Sequence, residues 1–183
     1  MLKEIENLYA KASLLYSEQD INTELVRMAK EIEDKLGDTN PVVVCVMTGG
    51  LVPMGQLITK LPFHLEMDYV HATRYQGEIQ GGELVWIARP RTSLKDRTVL
   101  IVDDILDGGV TLAEIKKDFE AAGAKDVYTA VLVDKKRERP ATGLQKADFV
   151  GLEIDNHFIF GYGMDYKGYF RNVPGIFIVR DEA

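Results

Sequence analysis

The chain contains 183 residues, of which 46% are hydrophobic and 28% charged, and its formal net charge is -7. This length and composition predict a single folded domain, residues 1–183, with a sizeable core. The acidic balance argues against a general binder of nucleic acid or membrane surfaces, because neutralising phosphates takes clustered Lys and Arg. The single cysteine, Cys45, lies in an apolar run, and the sequence shows neither a secretory signal nor a membrane-length apolar stretch. A reducing, cytoplasmic setting is therefore expected.

The N-terminal segment predicts two helices and then a buried strand. Residues 3–15 and 21–36 both carry apolar residues at helical spacing, and their apolar faces offer material for an interface between copies of the chain. The first of these faces would be formed by Ile5, Leu8, Ala12 and Leu15. The run PVVVCVM at 41–47 is continuously apolar and β-branched, which is typical of a strand buried on both faces.

The middle of the chain alternates predicted strands and helices. The segment 63–75 alternates in polarity, which predicts a strand with Met67 and Tyr69 on the dry face and Asp68 on the wet face. RTVLIVDDI and VYTAVLVDK predict two further buried strands, with an amphipathic helix between them. This rhythm favours an α/β fold with a parallel sheet, whose ligands bind at the carboxyl ends of the strands. The short strands FVGLEI, HFIFGYG and GIFIV that follow need not belong to the main sheet.

An unusual cluster of acids follows one of these strands, in the stretch VLIVDDILDGGVT at 99–111. Asp103, Asp104 and Asp107 lie close together there, although carboxylates repel one another and resist desolvation. Two glycines and a helix start come next, and free amides at such a start bind anions. One interpretation is a solvated, glycine-rich helix cap. The acids favour the other, a phosphate held beside sugar hydroxyls or Mg²⁺.

Four motifs in this order resemble the type I phosphoribosyltransferases of the hypoxanthine-guanine branch. VLIVDDILDGGVTL is similar to the signature for 5-phosphoribosyl-1-pyrophosphate (PRPP), and VMTGG to the pyrophosphate loop. VLVDK resembles the purine-selecting strand, and FIFGYGMDYKGYFRN the carboxyl-terminal segment. The resemblance implies the parallel-sheet fold of that family, with a core at about residues 38–150. A small hood would be formed largely by residues 151–183, with contributions from the N-terminal helices.

The resemblance also implies an activity in purine salvage. The family transfers the 5-phosphoribosyl group from PRPP to hypoxanthine or guanine, giving IMP or GMP and pyrophosphate, with Mg²⁺ as cofactor and usually as a homodimer or homotetramer. A transferase that prefers xanthine or adenine, or a non-catalytic PRPP-sensing regulator, is the alternative. The acidic composition and the presence of Asp107, Lys135 and Asp165 argue against a regulator that binds nucleic acid.

Carried over residue by residue, the PRPP signature supplies most of the expected site. Asp103 and Asp104 face the ribose hydroxyls and the metal, and Asp107 matches the general base that takes a proton from the purine ring nitrogen. The 5-phosphate is held by Asp107, Gly108, Gly109, Val110 and Thr111. The sequence departs from the family pattern at Asp103, where Glu is usual, and at Gly108, where Ser or Thr is usual.

Pyrophosphate and metal contacts are expected from two other motifs. Thr48, Gly49 and Arg171 match pyrophosphate-binding positions, and Asp165 matches a metal ligand. The family frequently has Lys where Thr48 stands, so this chain lacks one cation there. The peptide bond matching Met47–Thr48 can be cis in the family.

Purine contacts are expected at Lys135, Phe158, Ile159 and Asp165. Lys135 would donate to the exocyclic oxygen of the base, or would merely extend from the strand end to solvent. Phe158 would stack on the purine or would belong to the core of a small sheet, and the backbones of Ile159 and Asp165 would meet the purine edge. Phe160 fits the core better.

A loop near the middle of the chain is expected to close over the active site. The glycines at positions 77, 81 and 82 make the segment after Arg74 suited to motion, and Arg74 and Tyr75 would be its contacts. A plain surface hairpin is the alternative.

Overall fold

A computed structural model describes residues 1–74 and 84–179. In these ranges the elements follow the order α1 (Leu2–Lys11), β1 (Ala12–Ser17), α2 (Glu18–Leu36), β2 (Val42–Met47), α3 (Leu51–Ile58), β3 (Glu66–Arg74), β4 (Leu84–Ala88), β5 (Thr98–Leu106), α4 (Val110–Ala121), β6 (Asp126–Lys136), β7 (Phe149–Asp155), β8 (Ile159–Phe160) and β9 (Gly175–Val179).

Among residues 1–74 and 84–179, the main sheet has six strands in the order β4-β3-β2-β5-β6-β7. Strands β3, β2, β5, β6 and β7 run parallel, and β4 pairs antiparallel with β3. The apolar runs predicted as buried strands are β2, β5 and β6, at the centre of the sheet, where both faces are covered. The predicted α/β fold with a parallel sheet is confirmed, and FVGLEI joins this sheet as part of β7.

A second, antiparallel sheet has the order β1-β9-β8. Its strand β1 corrects the helix predicted over residues 3–15, because α1 ends at Lys11 and Ala12 and Leu15 lie in a strand. β1 pairs with β9, from Ala12 opposite Val179 to Ser17 opposite Gly175. This distant pairing satisfies the backbone of residues 12–17, and a local helical pattern cannot reveal it.

Helix α2 begins at a capping box in which Ser17 Oγ accepts from Asp20 N and the Asp20 carboxylate accepts from Ser17 N. Its apolar face is fully buried against the chain itself, at Ile21, Leu25 and Ile32 among others. That face is therefore not available for the interface between copies that the sequence suggested. None of the described helices is long and apolar enough to cross a membrane.

Strand β3 exposes the side chains that its alternation placed on the dry face. Met67 and Tyr69 are 58% and 44% exposed, whereas Val70 is fully buried. The predicted facing of this strand is wrong because its apolar residues occur in both alternating sets. The residues of this strand that pack into the core on that side of the sheet are Val70 and Ala72.

Candidate active site

A cleft of about 430 Å³ lies at the carboxyl ends of β2 and β5, where ligands bind in parallel sheets. It brings together residues from three separate sequence motifs. Of the predicted site residues, those that line it are Thr48, Gly49, Asp103, Asp104, Asp107, Gly108, Gly109, Val110, Thr111, Asp165 and Arg171.

The loop from β5 to α4 forms one wall of this cleft. Gly109 is the residue before α4 and has a left-handed φ of 72°, and a Cβ there would lie 2.4 Å from the Leu144 carbonyl oxygen. A residue with a side chain would therefore be strained and would clash. Glycine also has no side chain with which to cap the helix. The first amides of α4 and the positive end of its dipole are left for an anion beside Thr111.

Two adjacent carboxylates form the floor of the cleft. The Asp104 side chain is 11% exposed, and its backbone N–H donates to Asp103 Oδ1 at 2.9 Å. Burial, together with the neighbouring Asp104 charge, raises the pKa of Asp103 well above its ordinary value. Burial also raises the pKa of Asp104. Such a pair is costly to ionise in the free protein and gains from a cation or from hydroxyl donors.

The loop after β2 packs directly on these carboxylates. A Cβ on Gly49 would lie 2.1 Å from Asp104 Oδ2, and one on Gly50 would lie 2.7 Å from the Val102 carbonyl oxygen. The peptide bond between Met47 and Thr48 is cis, a geometry that the resemblance allowed at this position. Only glycine lets the backbone of this loop approach Asp104 so closely.

Arg171 connects the floor of the cleft with the carboxyl-terminal segment. Its Nη2 lies 2.5 Å from Asp165 Oδ1, and its Nη1 lies 3.8 Å from Asp104 Oδ2. Asp165 also accepts from the Gly168 N–H at 2.7 Å through Oδ2. Arg171 thus supplies positive charge between two carboxylates, and Asp165 is already engaged by protein donors. In the described ranges, no cluster of three or more His, Cys, Asp or Glu side chains could hold a metal by itself.

Lys135, near the end of β6, lies beside Asp107. Its Nζ is 3.8 Å from Asp107 Oδ2, and its side chain is only 12% exposed. This burial argues against a lysine that simply extends to solvent. Arg137 also contacts the same carboxylate, with Nη1 2.8 Å from Asp107 Oδ1. The carboxylate of Asp107 is therefore held by two cations, one near the end of β6 and one directly after it.

Sequence reasoning missed Arg137 and Arg139. The Arg139 side chain is 7% exposed and donates to the backbone carbonyls of both Leu106 and Asp107. The available signal was the run DKKRERP, in which cations follow a buried strand directly at a ligand-binding edge.

Of the predicted purine contacts, Asp165 lines the cleft, whereas Lys135, Phe158 and Ile159 are not among its lining residues. Phe158 is 43% exposed, and its ring lies edge-on to Tyr166 with centroids 5.5 Å apart. Ile159 is buried in β8, and Phe160 is fully buried among aromatic rings, as the core interpretation expected. Arg74 ends β3, and Tyr75 lies outside the described residues.

The thiol of Cys45 has no place in the chemistry. It is buried in β2, and burial, followed by the charges of Asp103 and Asp104, raises its pKa to about 12. Cys45 is therefore a packing residue of the strand and not a nucleophile, since only the thiolate is a good nucleophile.

Residues 12–167 match the model of the phosphoribosyl transferase domain. The chain belongs to the phosphoribosyltransferase family. It is 34% identical over 168 residues to a hypoxanthine-guanine phosphoribosyltransferase of Bacillus subtilis, covering 91% of this chain and 92% of that protein.

Two further similar proteins are phosphoribosyltransferases as well. A hypoxanthine-guanine-xanthine phosphoribosyltransferase of Tritrichomonas foetus is 31% identical over 170 residues, covering 93% of this chain and 92% of that protein. The crystal structure of a hypoxanthine phosphoribosyltransferase from Staphylococcus aureus superposes with a TM-score of 0.86 at 28% identity, covering 92% of this chain and 91% of that chain. The suspected family and its parallel-sheet fold are confirmed.

Proposed function

We propose that this phosphoribosyltransferase is a purine salvage enzyme that transfers the 5-phosphoribosyl group of PRPP to hypoxanthine or guanine. The observation that carries the proposal is that one cleft combines an anion-binding helix start, the adjacent carboxylates of Asp103 and Asp104, and Arg171. These groups complement the phosphate, the ribose hydroxyls and the pyrophosphate of PRPP. The names of the relatives support hypoxanthine and guanine as bases.

In the proposed reaction the bond from ribose C1 to pyrophosphate breaks and a bond from C1 to a purine nitrogen forms. The amides at residues 108–111 bind the 5-phosphate, and Asp103 and Asp104 accept hydrogen bonds from the ribose hydroxyls. Positive charge grows on the sugar and negative charge on the leaving group, so the carboxylates and Arg171 stabilise opposite ends of the transition state. Asp107 accepts the proton that the purine nitrogen loses.

The cleft also fits Mg²⁺. Buried carboxylate oxygens with raised pKa values suit a hard cation, and Mg²⁺ is commonly bound by one or two carboxylates together with substrate phosphates and water. Asp103, Asp104 and Asp165 are the residues that would hold it. When bound, it supplies positive charge beside the leaving pyrophosphate.

Base selection is assigned to Lys135. Its buried ammonium can donate to the exocyclic oxygen of hypoxanthine or guanine, whereas adenine presents a donor there and leaves a buried group unpaired. Phe158 would stack on the base, and the backbones of Ile159 and Asp165 would contact its edge. Arg74 and Tyr75 remain the expected contacts of a closing loop.

Further parts of the proposal concern organisation and setting. We place the core at about residues 38–150 and the hood at about 151–183, where Tyr9 of α1 stacks on Phe170 with ring centroids 5.5 Å apart. A homodimer or homotetramer in the cytoplasm, acting on PRPP and free purines without nucleic acid or membrane partners, completes the proposal.

The direct test is pyrophosphate release from PRPP with hypoxanthine, guanine, xanthine and adenine supplied separately, with and without Mg²⁺. We expect release with hypoxanthine and guanine that requires Mg²⁺. Release with adenine alone, or with xanthine alone, would replace the assigned bases. No release with any base, together with tight PRPP binding, would favour the PRPP-sensing regulator.

A further inference from the structure

The segment after β6 contains a buried arginine that bonds to both of the neighbouring strand ends. Pairing of β5 with β6 continues to Leu106 opposite Asp134. From that point on, Arg139 donates hydrogen bonds to the end of β5. Its Nη2 lies 2.9 Å from the Leu106 carbonyl oxygen, and its Nε lies 2.8 Å from the Asp107 carbonyl oxygen. The same Nη2 donates to the Lys135 carbonyl oxygen at 2.7 Å.

The guanidinium has two further partners. Nη1 donates to the Gln145 carbonyl oxygen at 3.0 Å, and Nη2 contacts the Asp134 carboxylate, which is the counter-charge. The segment it belongs to also packs on the phosphate loop, because Leu144 N–H donates to the Gly109 carbonyl oxygen at 3.0 Å. The guanidinium of Arg139 therefore links the backbone at the end of β5 to the backbone at the end of β6, where the two strands separate.

We infer that Arg139 is a positioning residue that sets the spacing between the 5-phosphate loop at Asp107 and the purine-selecting Lys135. Its bonds are to the backbone carbonyl groups of these two residues and do not use their side chains, which face each other across 3.8 Å. This inference rests on the proposed function and extends it, since it explains how one purine and one PRPP are held at a fixed separation. A ligand displacement near 1 Å can cost orders of magnitude in rate.

Only arginine can make this set of bonds. Its planar fork presents five N–H donors from three nitrogens, whereas a lysine ammonium at the same depth bonds from one point. Arg139→Lys therefore keeps the charge but releases part of the contact set. The matched control is Arg27→Lys, because the Arg27 guanidinium also donates to two backbone carbonyls, those of Val150 and Gly151, both at 2.8 Å, on the outer strand β7.

The experiment measures steady-state kinetics with hypoxanthine and adenine for the wild type, Arg139→Lys and Arg27→Lys. For Arg139→Lys we expect the KM for PRPP to rise and the preference for hypoxanthine to fall, each by about tenfold. Arg27→Lys should keep both. A purely structural arginine would lower the melting temperature and leave KM and base preference unchanged, which would overturn the inference.

Combination with Lys135→Met sharpens the test. In that background Arg139→Lys should still raise the KM for PRPP but should change base preference no further, because the group being positioned is absent. Independent losses in base preference would contradict the inference. If Arg139→Lys does not fold, Asp134→Asn removes the counter-charge and keeps the arginine. It should then move the same two parameters in the same direction, and unchanged values would overturn the inference.

A readout that needs no activity separates this inference from the proposed function. Hydrogen exchange of the amides at residues 107–111 should accelerate in Arg139→Lys and stay unchanged in Arg27→Lys. Unchanged exchange in both variants contradicts the positioning role. A wild-type chain that transfers to neither hypoxanthine nor guanine instead contradicts the proposed function.

Discussion

The carboxyl edge of β5 and the proposed hood, about residues 151–183 together with α1, are stabilised in opposite ways. The β5 edge places Asp103 and Asp104 side by side in a cleft, and burial raises the pKa values of both. The hood instead satisfies itself, because Phe160 packs between aromatic rings and Glu4 bonds to Tyr166 and Lys167. The difference indicates that the β5 edge depends on a ligand to offset its charges, while the hood holds its shape through its own contacts and presents Asp165 and Arg171 to the cleft.

The largest effect is expected at Asp107. Asp107→Asn keeps the backbone amides of the phosphate loop but removes the proton acceptor, so kcat should fall by about 10²- to 10⁴-fold while PRPP affinity changes little. Steady-state kinetics together with PRPP titrations measure this. The control is Asp118→Asn, which should keep kcat. Asp118 lies on α4 and forms a partly exposed ion pair with Arg89. Equal losses of kcat and affinity would make Asp107 a binding residue only.

The second-largest effect is expected at Lys135, on the preference between purine bases. Lys135→Met keeps the length of the side chain but removes the donor, and the preference for hypoxanthine over adenine should fall by at least about tenfold, with a small change in melting temperature. Specificity constants for both bases measure this. The neighbouring Lys136→Met is the control, because Lys136 is 58% exposed and pairs with Glu153. A preserved preference with preserved activity refutes the assigned role of Lys135.

The burial and mutual repulsion of the Asp103 and Asp104 carboxylates should lower the stability of the free protein at neutral pH. Because the pKa of Asp103 is raised on folding, the folded chain binds more protons than the unfolded chain at pH values above the ordinary carboxyl pKa. Stability therefore falls as pH rises through that interval. Asp103→Asn should raise the melting temperature at neutral pH by about 2–4 °C, on the order of 1 kcal/mol.

This gain should shrink as the pH approaches about 4, where an aspartate in the unfolded chain also takes up its proton. Thermal melts of the free protein across pH measure it, with the exposed Asp126→Asn as control. A gain that is constant with pH would show that electrostatic strain is not its source. A loss of stability at neutral pH would contradict the raised pKa.

The smallest effect is expected at the hood. Glu4 Oε1 accepts from Tyr166 Oη at 2.9 Å, and the Tyr166 ring lies edge-on to Phe158. These contacts are exposed, so Glu4→Ala should raise the KM for the purine by only about twofold and leave kcat unchanged. Glu6→Ala on the same helix is the control. A tenfold or larger effect would show that the hood depends on α1 more than its exposed contacts suggest.

Much of the sheet could be predicted because buried parallel strands have a local signature. The runs around Val43, Leu100 and Val131 are apolar throughout and bounded by turn residues, so their burial follows from sequence alone. The strand Ala12–Ser17 could not be predicted, because its partner lies at the other end of the chain. Its spacing also fits a helix, and only the distant pairing decides between the two.

The site divides in the same way. The sequence identifies the three acids of the cluster, Asp103, Asp104 and Asp107, because carboxylates beside a buried strand destabilise the fold unless a ligand or partner offsets their charge. Arg139 was not, because its role depends on carbonyl groups of two other segments that no residue type marks. A cation-rich run at a strand end is a usable signal for such an arginine, but it does not say which member turns inward.

Our main proposal for the site is that the β5 edge binds PRPP through its carboxylates and a divalent cation. Calorimetric titration of PRPP into the wild type and into the Asp103→Asn, Asp104→Asn double variant, each with and without Mg²⁺, tests it most directly. We expect Mg²⁺ to tighten PRPP binding to the wild type, and we expect the double variant to lose this enhancement while staying folded. Equal PRPP affinity of the two proteins in the presence of Mg²⁺ would contradict it.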